Sequence, residues 1–278
     1  MSENFWRYYP KNDMTESLYL FRKRPVKKYF DDAHAWTYYK GGDGENVIVF
    51  IHGMGGSYDI WWQQIMEFEK RYRVISISYP PIDNLKSLVK GIIQILNSED
   101  VERCTAVGTS LGGYIVQYMA AYYPSYIQKA VLGNTFPPND IYRKKNRWKV
   151  LFLSLLWDGA VRKIVRNMML RDIRGEDESS QLLRGYIIEK FDTLLDKKTL
   201  LARYKCVVEK FETCKNECIP ELYLIESEND PLIPLILRKK LREEYNFKMT
   251  HTFKDGGHFP YLHNAKEYNR VLEKFLNS

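Results

Sequence analysis

The sequence predicts an α/β fold in which a mostly parallel, doubly wound sheet carries a helical insertion. Three observations support this fold class. Short apolar runs alternate with helical patterns along much of the 278 residues, as in sheets that have helices on both faces. Residues 46–51 form a continuous apolar run, as expected of a strand that is buried on both faces. Nearly 80 residues after Phe136 then show helical patterns without a convincing strand.

The individual elements follow from the period of the apolar residues and from the turn residues between them. Strands are predicted at residues 26–30, 35–39, 46–51, 72–78, 104–108, 128–133, 221–225 and 248–253. Helices are predicted at residues 84–96, 111–123, 141–157, 159–170, 179–195, 198–213, 233–245 and 265–276. Residues 1–25 lack a clear period, and no element is predicted there. The expected domains are a core made of residues 1–135 and 214–278 and a helical cap or lid at residues 136–213.

One segment, Cys104–Gly113, has the pattern of a short apolar strand, a sharp turn and a helix that starts at Leu111. It contains Gly108-x-Ser110-x-Gly112, the pattern of a nucleophile elbow. A serine at such a turn needs a positive φ, and the two glycines remove side chains that would collide across it. A glycine-rich turn with a bystander serine has the same pattern, so the other residues must decide between the two.

A serine hydroxyl needs a base within hydrogen-bonding distance, and that base needs an acid to orient it. His258 lies in a glycine-rich loop after the last predicted strand, and Asp230 follows the preceding strand, directly before a proline. We therefore predict Ser110 as the nucleophile, His258 as the base and Asp230 as the acid. Asp140 and Glu228 remain alternative acids.

The tetrahedral intermediate of such a reaction also needs N–H donors for its oxyanion. One donor is expected from Leu111, the residue after the nucleophile, and the other from Met54, in the loop after the strand at residues 46–51. His52 is expected to brace this loop. The remaining histidines are expected to be structural or exposed: His34, His251 and His263. The sequence contains no phosphate-binding loop and no set of metal ligands, so no cofactor is expected.

The net charge of +7 is unevenly distributed. The segment from Arg143 to Arg171 contains nine Lys/Arg and one acid, Asp158, which gives it a net charge of +8 and leaves the remainder near neutral. Apolar residues separate these cations and no nucleic-acid-binding module is found, so nucleic acid is not an expected partner. The chain lacks an apolar run of 18 residues and a signal-peptide pattern, which predicts a cytoplasmic protein. Its cysteines, including Cys214 and Cys218, are accordingly expected to be free thiols without zinc.

These motifs resemble those of the α/β-hydrolase superfamily from about residue 26 to the C-terminus. The order Ser110, Asp230, His258 along the chain is the order found in that superfamily. The resemblance implies an α/β-hydrolase fold and a Ser-His-Asp triad. Within the superfamily the chain is similar to the maspardin family in three segments, residues 72–80, 133–136 and 256–262.

The two resemblances imply different functions. The superfamily implies a serine hydrolase of carboxylesterase or lipase type, which acts on a small-molecule acyl substrate through an acyl-enzyme. The maspardin family is described mainly as a binding or trafficking protein, which implies a catalytically weak or silent scaffold for a protein partner. In that family the position that matches His258 is not histidine, whereas this chain keeps the base. The retained base favours the first hypothesis.

The segment Trp148–Trp157 is apolar over most of its predicted helical surface and is flanked by cations. One interpretation is a cap helix packed over the active site, because most apolar helices belong to a core. The other is a lid that opens at an anionic membrane, such as an endomembrane, and exposes Trp148, Phe152 and Trp157 to lipid. The second interpretation makes residues 143–171 a candidate for peripheral membrane contact.

Overall fold

The computed structural model describes residues 2–138, 140–173, 175–213 and 220–278. The strands of this part form one eight-stranded sheet: β1 (Lys27–Phe30), β2 (Ala35–Gly41), β3 (Val47–Ile51), β4 (Arg73–Ser78), β5 (Cys104–Thr109), β6 (Ile127–Gly133), β7 (Glu221–Ser227) and β8 (Met249–Phe253). The α-helices are α1 (Ser2–Phe5), α2 (Asp13–Arg22), α3 (Trp62–Phe68), α4 (Leu85–Ser98), α5 (Leu111–Tyr122), α6 (Asp140–Leu155), α7 (Asp158–Arg171), α8 (Glu178–Thr193), α9 (Lys197–Val208), α10 (Leu235–Glu244), α11 (Pro260–His263) and α12 (Ala265–Leu276).

The strand order is β1-β2-β4-β3-β5-β6-β7-β8. β2 pairs antiparallel with both β1 and β4, and all other neighbouring strands are parallel. The predicted fold class, a mostly parallel doubly wound sheet, is therefore confirmed. The chain continues from β3 to β4 on one side, and β5 pairs with β3 on the other side. The loops after β3 and β5 thus meet at a topological switch point, where open sheets of this kind bind their ligands.

β3 is buried on both faces, as predicted. Val49 and Ile51 belong to an apolar cluster on one side of the sheet, and Ile48 and Phe50 belong to a second cluster on the other side. Burying an apolar side chain of this size contributes about 1.5–3 kcal/mol to folding. The loop that follows β3 is therefore attached to one of the most firmly packed strands of the molecule.

The insertion between β6 and β7 contains α6, α7, α8 and α9, and no strand occurs in the part of it that the structure describes. Its separation from the core as a cap stays a prediction. The helix predicted to run to residue 213 ends earlier, at Val208. Glu209 leaves the helix because its carboxylate accepts a hydrogen bond from the Leu85 N–H at 2.7 Å, at the start of α4. The Tyr114 hydroxyl also donates to the Glu209 carbonyl oxygen at 2.6 Å.

No element was predicted in residues 1–25, but that stretch contains two helices, α1 and α2. Reciprocal bonds cap the start of α2: Asn12 Oδ1 accepts from the Thr15 N–H at 2.9 Å, and Thr15 Oγ1 accepts from the Asn12 N–H at 3.1 Å. Leu18 and Phe21 bury the inner face of the helix. A 3₁₀ turn at Tyr58–Trp61, which continues into α3, was also not predicted.

Two of the four cysteines, Cys214 and Cys218, lie outside the described residues, as does the side chain of Lys145. Cys104 and Cys206 are buried free thiols, and burial raises the pKa of Cys104 to about 12. Among the residues that the structure describes, no helix is both long enough and apolar enough to cross a membrane.

Candidate active site

Ser110 lies at the turn between β5 and α5 with φ 54° and ψ −121°, the strained backbone that the sequence motif predicts. Its N–H donates to the Gly133 carbonyl oxygen at 2.9 Å, which ties the turn to β6. The neighbouring glycines permit this geometry. A Cβ at Gly108 would lie 2.3 Å from the Gly112 carbonyl oxygen, and a Cβ at Gly112 would lie 2.1 Å from the Ile51 carbonyl oxygen. The turn therefore requires both glycines and lifts Ser110 out of the sheet.

His258 and Asp230 form a buried pair. The Nδ1 atom of His258 lies 2.9 Å from Oδ2 and 3.0 Å from Oδ1 of Asp230. The N–H groups of Leu232 and Ile233 donate to Asp230 Oδ1 at 2.8 and 3.1 Å. Burial would raise the pKa of Asp230, but the attraction of His258 and the hydrogen bonds that the carboxylate accepts outweigh it and lower the pKa. The acid is therefore held ionised next to the imidazole.

Asn134 is a member of this site that the sequence did not reveal. It follows β6 with a φ of 38°, a left-handed conformation that Asn tolerates better than most residues. Its Nδ2 atom donates to Asp230 Oδ2 at 2.8 Å and to the Gly257 carbonyl oxygen at 3.0 Å. Both partners are acceptors, which fixes the orientation of the amide. Asn134 thus joins the loop that carries Asp230 to the loop that carries His258.

The alternative acids lie elsewhere. Asp140 is exposed at the start of α6, and its carboxylate pairs with Lys210 at 2.5 Å. Glu228 is also exposed, and its backbone N–H donates to the Phe253 carbonyl oxygen at 2.8 Å. Of the three candidate acids, Asp230 is the one next to His258.

Ser110 and His258 line the same cavity, which has a volume of about 70 Å³. In the described part of the chain no direct hydrogen bond joins the Ser110 hydroxyl to the His258 ring. Because Nδ1 faces Asp230, the free Nε2 atom is on the opposite side of the ring. Catalytic hydrogen bonds of this kind are often long without substrate and shorten in the complex. The arrangement is compatible with proton transfer from Ser110 to His258 once a substrate is bound.

The loop from Gly53 to Gly56 forms a second wall beside Ser110. A Cβ at Gly53 would lie 3.3 Å from the Ser110 Cβ, so the absence of a side chain allows this close approach. Met54 lies in this loop and lines the cavity. Leu111 is the first residue of α5, where backbone N–H groups have no acceptor within the helix. Both predicted oxyanion donors are therefore in segments that flank Ser110.

Buried groups hold this loop in place. Arg203 of α9 donates to the Met54 carbonyl oxygen and, at 3.1 Å, to the Gly56 carbonyl oxygen. His52 stacks on Tyr79 with ring centroids 4.1 Å apart, and the Tyr79 hydroxyl donates to the His52 carbonyl oxygen at 2.9 Å. Burial, together with the nearby Arg203, lowers the pKa of His52 well below its ordinary value. His52 therefore braces the loop as a neutral ring, in keeping with the structural role expected of it.

Residues of the insertion form part of the pocket wall. They include Met169 at the end of α7 and Leu183, Tyr186 and Ile187 of α8. None of residues 148–157 lines it. The interpretation of that segment as the helix packed over the active site was therefore wrong, because α8 and the end of α7 take this position.

Tyr186 connects the pocket to a buried ion cluster. Its hydroxyl donates to Asp59 Oδ1 at 2.6 Å and accepts from the Ser57 N–H at 3.1 Å. Asp59 also pairs with Arg22 of α2 at 2.6 Å and with Lys190 of α8 at 2.9 Å. Burial would raise the pKa of Asp59, but the two cations and the hydroxyl donors lower it far below the ordinary range. The cluster thus ties α2 and α8 to the segment that follows the Gly53–Gly56 loop.

A wider polar cavity of about 560 Å³ adjoins the pocket on the side of His258 and Phe259. Three carboxylates line it, those of Asp172, Asp177 and Asp255. His263 also lines it, and its Nδ1 atom lies 2.6 Å from the Ser179 hydroxyl. The small apolar pocket around Ser110 therefore opens next to a larger polar one.

The comparisons with known proteins agree with this architecture. The model of the alpha/beta hydrolase family matches residues 48–271. The chain belongs to the alpha/beta hydrolase family. Maspardin from Danio rerio is 22% identical over 268 residues, which are 91% of this chain and 82% of that protein. A putative esterase/lipase from Haemophilus influenzae is 20% identical over 240 residues, which are 83% of each chain.

A solved structure of a hydrolase from Pseudomonas aeruginosa PA01 superimposes on this alpha/beta hydrolase with a TM-score of 0.76 at 15% identity, covering 91% of this chain and 98% of that one. The predicted resemblance to the superfamily and to maspardin is thus confirmed. In the described part of this alpha/beta hydrolase, no group of three or more His, Cys, Asp or Glu is arranged to hold a metal ion.

Proposed function

We propose that this alpha/beta hydrolase is a serine hydrolase that cleaves an ester bond of a small-molecule acyl substrate. Ser110 is the nucleophile, His258 the base and then the acid, and Asp230 the residue that orients the imidazole. The observation that supports this proposal most is the buried His258–Asp230 pair beside the pocket that Ser110 lines. The N–H groups of Met54 and Leu111 are the proposed oxyanion donors.

In the first half of the reaction, the Ser110 Oγ atom attacks the ester carbonyl carbon while its proton passes to Nε2 of His258. The carbonyl oxygen becomes an oxyanion and accepts hydrogen bonds from the two N–H donors. The ionised Asp230 stabilises the imidazolium through Nδ1. The tetrahedral intermediate then collapses, the bond to the alcohol oxygen breaks, and His258 returns the proton to the leaving alcohol.

In the second half, His258 takes a proton from water, and the resulting hydroxide oxygen attacks the acyl carbon. Collapse of the second intermediate releases the carboxylic acid and restores the Ser110 hydroxyl. The enzyme's own groups move every proton in both halves, so the scheme requires no cofactor.

The shapes of the two cavities favour a particular placement of the substrate. The pocket of about 70 Å³ around Ser110 is lined mainly by apolar side chains and suits a short acyl group. The cavity of about 560 Å³ beyond His258 suits a larger polar alcohol. We therefore expect short acyl esters to be better substrates than long ones.

The test is hydrolysis of a short p-nitrophenyl ester by wild type and Ser110→Ala. Removing the nucleophile of such a triad abolishes an enhancement of about 10⁶ in kcat, so the variant should show only background hydrolysis. Ser98→Ala, at an exposed serine at the end of α4, is the matched control and should keep full activity. Equal rates for wild type and Ser110→Ala would rule out the proposed nucleophile.

The alternative function is a weak or silent scaffold that binds a protein partner in trafficking or signalling, and the similarity to maspardin supports it. Labelling with a fluorophosphonate separates the two functions, because the reagent reacts only with an activated serine. Stoichiometric modification of Ser110 supports the hydrolase, and an unlabelled, folded chain supports the scaffold.

A cytoplasmic location and contact of residues 143–171 with an anionic endomembrane are further proposals that do not depend on the triad.

A further inference from the structure

α6 presents a large apolar face to solvent. The side chains of Trp148, Leu151, Phe152 and Leu155 have exposed fractions of 73, 53, 57 and 79%. Their spacing of three and four residues places them on one face of the helix. Leu153, in contrast, is 4% exposed and packs against the core. The helix therefore has one apolar face that is covered by the protein and a second that is not.

Cations lie on the same face as the exposed apolar side chains. Lys144 and Arg147 are both exposed, and each precedes one of these side chains by four residues. The sequence has no acid between Asp140 and Asp158, and the Asp140 carboxylate is paired with Lys210. The α6 surface is defined here by the following residues: Lys144, Arg147, Trp148, Leu151, Phe152, Leu155 and Trp157. It is apolar, aromatic and positively charged at one end.

We propose that the α6 surface docks on an anionic lipid bilayer. Aromatic and aliphatic side chains next to Lys and Arg match the boundary between acyl chains and headgroups. An anionic bilayer complements both parts of the surface, because its phosphates pair with Lys144 and Arg147 while Trp148 and Phe152 enter the apolar region. Contiguous exposed apolar surface of this kind usually marks an interaction site.

Docking does not require the insertion to open. Trp157, the residue directly before α7, is also 74% exposed. Lys197 Nζ donates to the carbonyl oxygens of Ser154 and Leu156 at 2.8 and 2.5 Å, which fixes the end of α6. Met169, which lines the pocket, lies about 18 Å further along α7. The docking surface is thus separate from the proposed catalytic site, and the inference deepens the membrane contact proposed above for residues 143–171.

The test is co-sedimentation of the full chain with vesicles of phosphatidylcholine, with and without phosphatidylserine, at low and high salt. Wild type should sediment with the anionic vesicles at low salt and be released as salt rises, because screening weakens the attraction of the cations. Lys144→Glu combined with Arg147→Glu should weaken binding at least about thirtyfold, since each cation near an anionic surface contributes roughly 1 kcal/mol. Trp148→Ser combined with Phe152→Ser should weaken it at least about tenfold.

Matched controls use exposed residues on other elements. Lys239→Glu combined with Lys266→Glu changes the net charge equally, and Leu235→Ser combined with Ile236→Ser removes exposed apolar side chains from α10. Both controls should bind as wild type does. Ser110→Ala should also bind fully, and the docking variants should keep their esterase activity, so failure of docking and failure of catalysis are distinguishable.

Three outcomes would overturn the docking proposal. The first is absence of binding to anionic vesicles by wild type, which would assign the surface to a protein partner or to a second copy. The second is equal binding by wild type and the charge-reversed variant. The third is equal binding to neutral and anionic vesicles without dependence on salt.

Discussion

The inner and outer halves of the insertion distribute their charged and apolar side chains in opposite ways. The inner half, α8 and α9, buries Lys190 and Arg203 next to the loops around the pocket. The outer half, α6 and the start of α7, leaves Trp148 and Leu155 among its exposed apolar side chains. Both halves belong to one continuous stretch between β6 and β7, so their difference reflects what each half contacts.

Burying a cation is unfavourable unless it is paired and hydrogen-bonded. Lys190 meets this condition through Asp59. Arg203 pairs with no carboxylate among the described residues; it donates to the carbonyl oxygens of Met54 and Gly56, and its guanidinium lies 4.9 Å from the centre of the Tyr79 ring. The buried cations therefore depend on the geometry beside Ser110. The exposed apolar side chains of α6 are left largely uncovered by the residues that the structure describes. The comparison indicates that the inner half supports the site, whereas the outer half is available for an external contact.

The largest effect is expected in the site that the inner half helps to line. Asp230→Asn should lower kcat about 10⁴-fold on a short p-nitrophenyl ester, because an amide in place of the acid favours the wrong histidine tautomer. Asp140→Asn and Glu228→Gln are the matched controls and should keep activity within a fewfold of wild type. All three variants should remain folded by circular dichroism. If Asp140→Asn lost its activity and Asp230→Asn kept it, the acid would instead be Asp140, in the segment that follows β6.

Much of the sheet was predictable because strands buried on both faces are continuous apolar runs, as β3 shows. The N-terminal helices were not predicted, because α2 buries few side chains and its cap pairs Asn12 with Thr15 instead of with an acid. The apolar pattern of α6 correctly indicated a helix. Hydrophobicity alone does not say what covers an apolar face, so the packing of residues 148–157 over the pocket was predicted wrongly.

The candidate site was predictable to the extent that local motifs mark it. Ser110, Asp230 and His258 each follow a strand in a loop with glycine or proline nearby. Asn134 has no such motif, since its role depends on a positive φ and on two loops that meet only in the fold. The pairing of Asp59 with Lys190 joins residues 131 positions apart, and no spacing rule reveals it.

The next-largest effect is expected in the buried ion cluster, in which Lys190 of the inner half pairs with Asp59. Asp59→Asn keeps the shape of the side chain but leaves Arg22 and Lys190 without their shared carboxylate. Breaking a buried pair in this way should lower the free energy of unfolding by about 3–5 kcal/mol. Urea unfolding at neutral pH measures it. The control is Asp158→Asn in the outer half, where the pair with Arg162 at 3.1 Å is exposed and contributes about 1 kcal/mol or less.

The pH dependence of this effect has a defined sign. The pKa of Asp59 is lower in the folded protein than its ordinary value of about 3.9, so its stabilisation is present above that pH and declines as the pH falls below it. The stability difference between wild type and Asp59→Asn should therefore narrow towards pH 3. If Asp59→Asn and Asp158→Asn lowered the free energy of unfolding equally at neutral pH, the proposed contrast between buried pairs in the inner half and exposed pairs in the outer half would be wrong.

The smallest effect is expected on the outer face of α6. Leu151→Ala and Leu155→Ala remove the same atoms as Leu153→Ala from the same helix, but the first two side chains are exposed and the third is buried. Leu153→Ala should lower the free energy of unfolding by about 2–5 kcal/mol, because it leaves a cavity in the core. The two exposed variants should change it by about 0.5 kcal/mol or less and keep esterase activity. If either exposed variant cost as much as Leu153→Ala, with an unfolding midpoint that rises with protein concentration, a second copy of the chain would cover this face in solution and the outer half would not be free for lipid.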